Sequence, residues 1–139
     1  MPFAHDLARG IESELKVLRD LQQRYPEARK IEGKHSEYDI EVPDQFTVEV
    51  KFDPASQRTG NVVIEYYHRK VSGLHVSTAD WWVFDTGESC IWLTRAAVHQ
   101  CIFSESATPV RIQGPEDRYQ KWVFLIPLDR LQRYSSPAP

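Results

Sequence analysis

Hydrophobic and polar residues alternate on both sides of a short turn in the segment 37–52. The apolar positions are Tyr38, Ile40 and Val42 before the turn, and Phe46, Val48, Val50 and Phe52 after it. Alternation with a period of two is typical of strands that bury one face. The segment therefore predicts a β-hairpin, and its polar face carries Asp39, Glu49 and Lys51.

The length of the turn decides which side chains of the hairpin face each other. If both apolar faces enter one core, a three-residue loop over 43–45 pairs even positions with even positions and sets Asp39 opposite Glu49. Like charges that are directly opposed across two strands destabilise the pair. Such a placement indicates either a shifted pKa or a bound cation, and we favour the cation.

A helical pattern precedes the hairpin. Apolar residues at spacings of three and four predict an amphipathic helix from Asp6 to about Arg24. Tyr25 and Pro26 follow it, and the residue before a proline disfavours helical backbone. We therefore expect the helix to end there.

The segments after the hairpin favour more strands and two more helices. Apolar runs predict strands at 62–67, 81–85, 90–93 and 122–126. A polar loop is expected over 53–60, Thr94 is expected to cap a helix of about 95–103, and Pro127 is expected to open a short last helix. This order predicts an α/β fold with a mixed sheet flanked by helices.

Length and composition restrict the class of protein. The 139 residues suffice for a single domain, expected over 1–134, with a frayed tail over 135–139. The first residues are not typical of a signal peptide, and no apolar run has the length of a membrane span. Cys90 and Cys101 form neither a metal-ligand spacing nor a disulfide framework, which favours a cytoplasmic protein. We expect no membrane partner.

The charge of the chain is the next restriction. A formal net charge of -3 argues against a protein that coats nucleic acid nonspecifically, although local basic groups can still contact phosphates. The candidate nucleic-acid contacts are Lys34, Arg58, His68, Arg69 and Lys70, and a solvated loop is the alternative interpretation of them.

Asp39, nine intervening residues and then Glu49-Val50-Lys51 form a spacing that resembles the motif of the PD-(D/E)XK nuclease superfamily. That superfamily includes type II restriction enzymes and archaeal-type Holliday-junction resolvases. The resemblance covers roughly residues 10–85 and implies a restriction-endonuclease-like fold. It implies that Asp39 and Glu49 bind one or two Mg²⁺ ions, for which Mn²⁺ can substitute. It also implies that Val50 offers its backbone carbonyl and that Lys51 orients or activates the attacking water.

Two further positions bear on this resemblance. Resolvase-like members place a metal-binding glutamate in the first helix, four residues after a glycine, and Gly10 and Glu14 have that spacing. Glu14 is therefore a candidate metal ligand, ahead of Glu12. Tyr38 stands where the family name has proline, at a position that the family holds loosely.

The chemistry of the motif also follows from the residue types. Mg²⁺ prefers carboxylate, carbonyl and water oxygens, and it commonly takes only one or two carboxylates, which Asp39 and Glu49 can supply. Phosphodiester hydrolysis builds negative charge, which a metal ion and a lysine stabilise. Lys51 lies two residues from Glu49, hence about 6–7 Å away along the same strand face.

Glu65 is a further candidate catalytic residue, as a metal or water contact. It lies among apolar strand residues, where a carboxylate needs a partner. Arg69 or Lys51 as a purely structural partner is the alternative.

Other chemistries lack their sequence patterns. We find no nucleophile-elbow pattern, no zinc-ligand spacing and no phosphate-binding glycine loop. The resemblance therefore implies a magnesium-dependent endonuclease that hydrolyses DNA, in a bacterial or phage-infected cell. The small size favours a structure-selective or broadly acting enzyme, and a homodimer would let one small site address two strands.

Alternatives to this function remain open. A Glu-x-Lys triplet is also typical of a solvent-exposed sheet face, so a noncatalytic nucleic-acid-binding or assembly protein with the same fold is the first alternative. A nuclease that cleaves RNA is the second, and nothing in the sequence separates it from a DNA-cleaving enzyme.

Overall fold

The computed structural model describes residues 2–32, 37–68, 70–71, 77–104, 107–113 and 121–139. The helices within these ranges are α1 (Pro2–Gln22), α2 (Ser56–Thr59), α3 (Arg95–Phe103) and α4 (Leu128–Arg133). The strands are β1 (Arg29–Lys30), β2 (Ile40–Val42), β3 (Phe46–Phe52), β4 (Asn61–His68), β5 (Lys70–Val71), β6 (Trp81–Asp85), β7 (Cys90–Thr94), β8 (Val110–Ile112) and β9 (Lys121–Pro127).

Two sheets organise the chain, where the sequence predicts one mixed sheet. The five-stranded sheet has the order β1-β2-β3-β6-β7, and the four-stranded sheet has the order β5-β4-β9-β8. In the first sheet β3 and β6 are parallel, whereas its other pairs are antiparallel. The chain leaves the first sheet after β3 and builds α2, β4 and β5 before it returns as β6. The predicted α/β class is confirmed.

The five-stranded sheet is covered differently on its two faces. Helix α1 covers one face with Val17 and Leu21, which pack in a cluster with Val48, Val50 and Val83. The other face meets the second sheet and the helices α3 and α4. Its cluster includes Val62, Ile64, Trp82, Phe84, Leu93, Val98, Phe124, Ile126 and Leu131. Because strand side chains alternate, β6 and β7 supply buried residues to both clusters, whereas β2 and β3 supply them only to the cluster below α1.

Several predicted elements are confirmed with small changes of boundary. The first helix begins at Pro2 rather than near Asp6 and ends before Tyr25 and Pro26, as expected. The Thr94 hydroxyl accepts a 3.1 Å hydrogen bond from the backbone N–H of Ala97, as an N-cap does.

Three short elements differ from the predictions. The polar loop over 53–60 contains the one-turn helix α2, and the strands β1 and β8 have only two and three residues. Segments this short carry too few residues to show a period in the sequence.

The C-terminal residues differ from the expected frayed tail. The N–H of Ser136 donates to the carbonyl of Trp92 at 2.8 Å, and the Arg24 side chain donates to the carbonyl of Pro139 at 2.8 Å. These bonds place the tail against β7 and the end of α1. No helix in the described ranges combines the length and apolar character needed to cross a membrane.

Candidate active site

The loop between β2 and β3 has the predicted length of three residues. Val42 pairs with Phe46, and the N–H of Gln45 donates to the carbonyl of Val42 at 3.0 Å. Asp44 has a φ of 63°, in the left-handed region. Proline at the first central position and a positive φ at the second are typical of a type II turn, so Pro43 and Asp44 account for the reversal.

The register of the hairpin follows from this loop. Ile40 pairs with Val48, so even positions face even positions as the sequence predicts. Continued by one residue, this register sets Asp39, just before β2, opposite Glu49 on β3. The two acids that the sequence separates by nine residues therefore meet at one end of the hairpin.

Glu49 and Lys51 lie on the sheet face that is opposite to α1. Val50, between them, is buried under α1. The parallel register with β6 sets Glu49 beside Trp82 and Lys51 beside Phe84, which belong to the core below the second sheet. The polar pair therefore borders that core, where a charged group loses part of its water.

The Lys51 ammonium is held between a carboxylate and an aromatic ring. Its Nζ lies 3.4 Å from Glu49 Oε2 and 5.5 Å from the centroid of the Trp82 ring. The side chain of Lys51 remains 31% exposed, and that of Glu49 is 16% exposed. The two contacts restrict the position of the ammonium, and the remaining exposure leaves it accessible from solvent.

The Asp39 carboxylate is fixed against β3 by a backbone hydrogen bond. Asp39 Oδ2 accepts a 2.7 Å bond from the N–H of Val50. The N–H of Asp39 in turn donates to the carbonyl of Val48 at 2.9 Å. These two bonds hold the residue before β2 in the register of the hairpin.

Burial shifts the titration of both acids. Burial, with the nearby charge of Asp39, raises the pKa of Glu49 to about 7 against the opposing effect of Lys51. Burial also raises the pKa of Asp39, although the Val50 N–H and the charge of Lys51 oppose it. Two carboxylates in this environment disfavour simultaneous ionisation unless positive charge joins them.

Of the two helix acids considered from the sequence, Glu14 is the one near Asp39. Burial and the charge of Asp39 raise the pKa of Glu14, while Lys30, 3.2 Å away, opposes the shift. Glu12 is exposed and lines a different cavity, beside Arg9. The charge of Asp39 therefore acts on Glu14 on α1 and on Glu49 on β3.

A buried aspartate that the sequence analysis did not single out fixes the position of α1. Asp85, at the end of β6, is 1% exposed and accepts bonds from Ser13 Oγ at 2.7 Å, Lys16 Nζ at 2.8 Å and the N–H of Gly87 at 2.9 Å. Burial alone would raise its pKa, but these donors lower it below its ordinary value. Ser13 and Lys16 flank Glu14, so this cluster also places Glu14.

Ser77 is a second contact that the sequence analysis missed. Its hydroxyl donates to Glu49 Oε1 at 3.4 Å and accepts the N–H of Ala79 at 3.3 Å. A serine four residues before an apolar strand is a weak signal of such a local turn. Its pairing with Glu49 joins residues that are 28 positions apart and could not be predicted.

Glu65 has a partner that the sequence analysis did not name. Its Oε1 lies 2.8 Å from Lys121 Nζ on β9. Both residues line a cavity of about 360 Å³, together with residues 51–53, Val63 and Ile112, which we term the Lys51 cleft. Glu65 thus shares a cavity with Lys51 but not with Asp39 or Glu49.

The predicted basic contacts are described only in part. Arg58 lies exposed on α2. Lys34 and Arg69 lie outside the described residues, as do the side chains of His68 and Lys70.

The donors at the hairpin fit a hard cation. Among the described residues, no three side chains of His, Cys, Asp or Glu lie close enough together to hold a metal ion. Mg²⁺, however, is commonly bound by one or two carboxylates and completes its shell with waters and substrate oxygens. Asp39 and Glu49 offer oxygen ligands only, and burial raises the pKa of both although the charge of Lys51 opposes the shift.

Comparisons with protein-family models, with curated proteins and with solved structures gave no match for this chain. The fold defines an α/β protein with two sheets, and its function has to be argued from the hairpin and the groups around it.

Proposed function

We propose that the protein is a magnesium-dependent endonuclease with a restriction-endonuclease-like fold, which hydrolyses DNA phosphodiester bonds. The observation that carries the proposal is the meeting of Asp39 and Glu49, both with raised pKa values, beside the Lys51 ammonium. Two close carboxylates repel each other and destabilise the native state, and a bound cation removes this repulsion.

The metal would be held by the carboxylates of Asp39 and Glu49 and by the carbonyl of Val50, and Glu14 is the acid of α1 whose pKa responds to Asp39. When bound, Mg²⁺ supplies Lewis-acid polarisation of a phosphate oxygen and lowers the pKa of a water molecule. The two carboxylates would hold the charge of the metal ion towards the substrate. The hydrogen bond from the Val50 N–H keeps Asp39 in place.

Lys51 would act on the substrate side of the acids. Its ammonium donates a hydrogen bond to the attacking water and offsets the charge that develops on the scissile phosphate. The Trp82 ring restricts the ammonium on one side, and Glu49 restricts it on another. These two contacts reduce the movement of the Lys51 ammonium that the reaction requires.

The arrangement of elements supports the proposed fold. A helix packs on one face of a mixed sheet, the β2–β3 hairpin carries the motif, and β6 runs parallel to β3. A helix before the hairpin, acids on the hairpin and a strand after it are the features that support the proposed fold for residues 10–85.

The alternative of a noncatalytic binding protein draws on one observation. No three potential ligands among the described side chains form a ready-made metal cage. A protein that only binds nucleic acid would need no such cage, and its binding would not depend on a metal ion.

The test is a cleavage assay on supercoiled plasmid, linear duplex, single strands, a four-way junction and RNA, with Mg²⁺, with Mn²⁺ and with chelator. We expect wild type to cut DNA only with metal, and Asp39→Asn to be inactive. Glu41→Gln is the matched control, because Glu41 lies two residues after Asp39, on β2, and pairs with Arg29 at 3.2 Å. Equal activity in Asp39→Asn and wild type would overturn the proposal, and cutting confined to RNA would correct the substrate.

A further inference from the structure

The Lys51 cleft adjoins the proposed active site without sharing its acids. It lies between the end of β3 and the outward face of the second sheet, where Val63, Glu65, Ile112 and Lys121 point. Lys51 belongs to both places, since it contacts Glu49 and lines the cleft. A substrate group bound in the cleft would therefore lie next to the substrate group that the Lys51 ammonium contacts.

The charges in the cleft favour a neutral occupant. Two ammonium groups, Lys51 and Lys121, are balanced by two carboxylates, Asp53 and Glu65. Glu65 already pairs with Lys121 at 2.8 Å, and Asp53 Oδ2 accepts the N–H of Val63 at 2.9 Å. A phosphate would meet as much negative as positive charge here, so the cleft is poorly suited to a second anion.

The shape and the walls of the cleft suit an aromatic heterocycle. Its volume of about 360 Å³ is in the range of small-molecule pockets. Phe52, Val63 and Ile112 give apolar, partly exposed walls. The Glu65–Lys121 pair sets an acceptor beside a donor, and every nucleobase presents donors and acceptors along its edge.

We propose that the Lys51 cleft takes up one unpaired nucleobase of the substrate strand, next to the phosphate that Lys51 contacts. The inference rests on the proposed nuclease function and narrows its substrate class. A base in the cleft cannot be paired with a complementary strand, so the preferred DNA has an unpaired nucleotide at the cut, as single strands and branched structures do. Because the pair offers both a donor and an acceptor, the cleft accepts different bases.

The experiment is an abasic scan of a labelled single-stranded DNA. One nucleotide at a time, on either side of the cut, is replaced by an abasic nucleotide that keeps its phosphate. Cleavage with Mg²⁺ and binding in chelator, by fluorescence anisotropy, are measured on each strand. We expect one position at which removal of the base lowers the cleavage rate and the binding affinity, each by about tenfold or more.

Filling the cleft provides the variant for this experiment. Ile112→Trp occupies the cleft from the edge strand β8 and should abolish the sensitivity to the abasic position. Val110→Trp is the matched control, because Val110 lies two residues away on the same face of β8, is 37% exposed and does not line the cleft. Val110→Trp should show the same sensitivity to the abasic position as wild type.

The outcomes separate the two proposals. Cleavage with a flat scan in wild type would overturn the base-binding cleft and leave the nuclease standing. Binding with one sensitive position, lost in Ile112→Trp, but no cleavage with any metal, would support the cleft and overturn the nuclease. Absence of both binding and cleavage would overturn both, and a wild-type scan retained in Ile112→Trp would place the base elsewhere.

Discussion

The carboxylate of Asp39 accepts a 2.7 Å hydrogen bond from the backbone N–H of Val50, on the strand that also carries Glu49 and Lys51. The bond joins Asp39, at the edge of β2, to the backbone of β3 at Val50, which lies between Glu49 and Lys51. This bond keeps the acid in position even though burial raises its pKa. A single contact thus joins the register of the hairpin to the geometry of the proposed metal site.

This bond distinguishes two substitutions of Asp39. In Asp39→Asn the amide oxygen can still accept the Val50 N–H and a buried charge is lost, so we expect the unfolding free energy without metal to stay equal or rise. In Asp39→Ala the N–H loses its acceptor, and we expect a loss of about 1–3 kcal/mol. Urea unfolding in chelator measures both values. A clear loss in Asp39→Asn as well would contradict this assignment of the bond.

The raised pKa of Glu49 predicts a pH-dependent effect of Glu49→Gln on stability. The native state favours the protonated form of Glu49, so ionisation of Glu49 lowers the free energy of unfolding. This loss is absent below pH 4.5, grows between pH 4.5 and about 7, and is complete above that. Glu49→Gln should therefore be more stable than wild type at pH 8, by on the order of 1–3 kcal/mol, and equal to it near pH 4.5. Thermal unfolding in chelator at both pH values tests this. A difference that does not change with pH would exclude the titration of Glu49 as its cause.

Metal should stabilise the wild-type protein more at high pH than at low pH. A cation that binds only the native state adds stability according to its concentration over its Kd, about 2.7 kcal/mol at a hundredfold excess. Protons compete with it for Asp39 and Glu49, so we expect the rise in Tm with Mn²⁺ to be larger at pH 8 than at pH 5.5. Asp39→Asn should lose this rise at both values, while Glu41→Gln should retain it.

The Asp85 cluster predicts a loss of stability when its charge is removed. Asp85→Asn weakens the bonds from Ser13 and Lys16 that hold α1, and we expect a loss of about 1–3 kcal/mol at pH 7. Because the pKa of Asp85 is lowered, this contribution is present above pH 3.8 and disappears as the pH falls through the folded-state pKa.

Asp20→Asn is the control for Asp85→Asn. Asp20 lies on the same helix as Ser13 and Lys16 and makes an exposed pair with Arg24 at 3.6 Å. Exposed pairs contribute little, so its change should stay below about 1 kcal/mol. Equal losses in the two variants by urea unfolding would show that burial of Asp85 has no special effect.

Local patterns made part of this structure predictable from the sequence. The alternation around Val48 and Val50 and the three-residue loop fixed the register, because both depend on residues that are close along the chain. Thr94 was predicted as an N-cap for the same reason. The candidate acids Asp39 and Glu49 meet as expected, since they share one hairpin.

Contacts between distant segments were not predictable in this way. Ser13 and Asp85 are 72 positions apart, and Glu65 and Lys121 are 56 apart. Alternation shows which face of a strand is apolar, but it does not show which element covers that face. For this reason the split into two sheets, and the cleft between them, emerged only from the structure.

Metal-dependent hydrolysis that requires Lys51 can be tested by a paired measurement on Lys51→Ala. Cleavage of single-stranded and supercoiled DNA is followed with Mg²⁺, and Mn²⁺ binding is followed by calorimetry on the same preparation. We predict that Lys51→Ala binds Mn²⁺ as wild type does but cuts at least about a hundredfold more slowly. Undiminished cutting by Lys51→Ala, or no metal binding by the wild-type protein, would contradict the account.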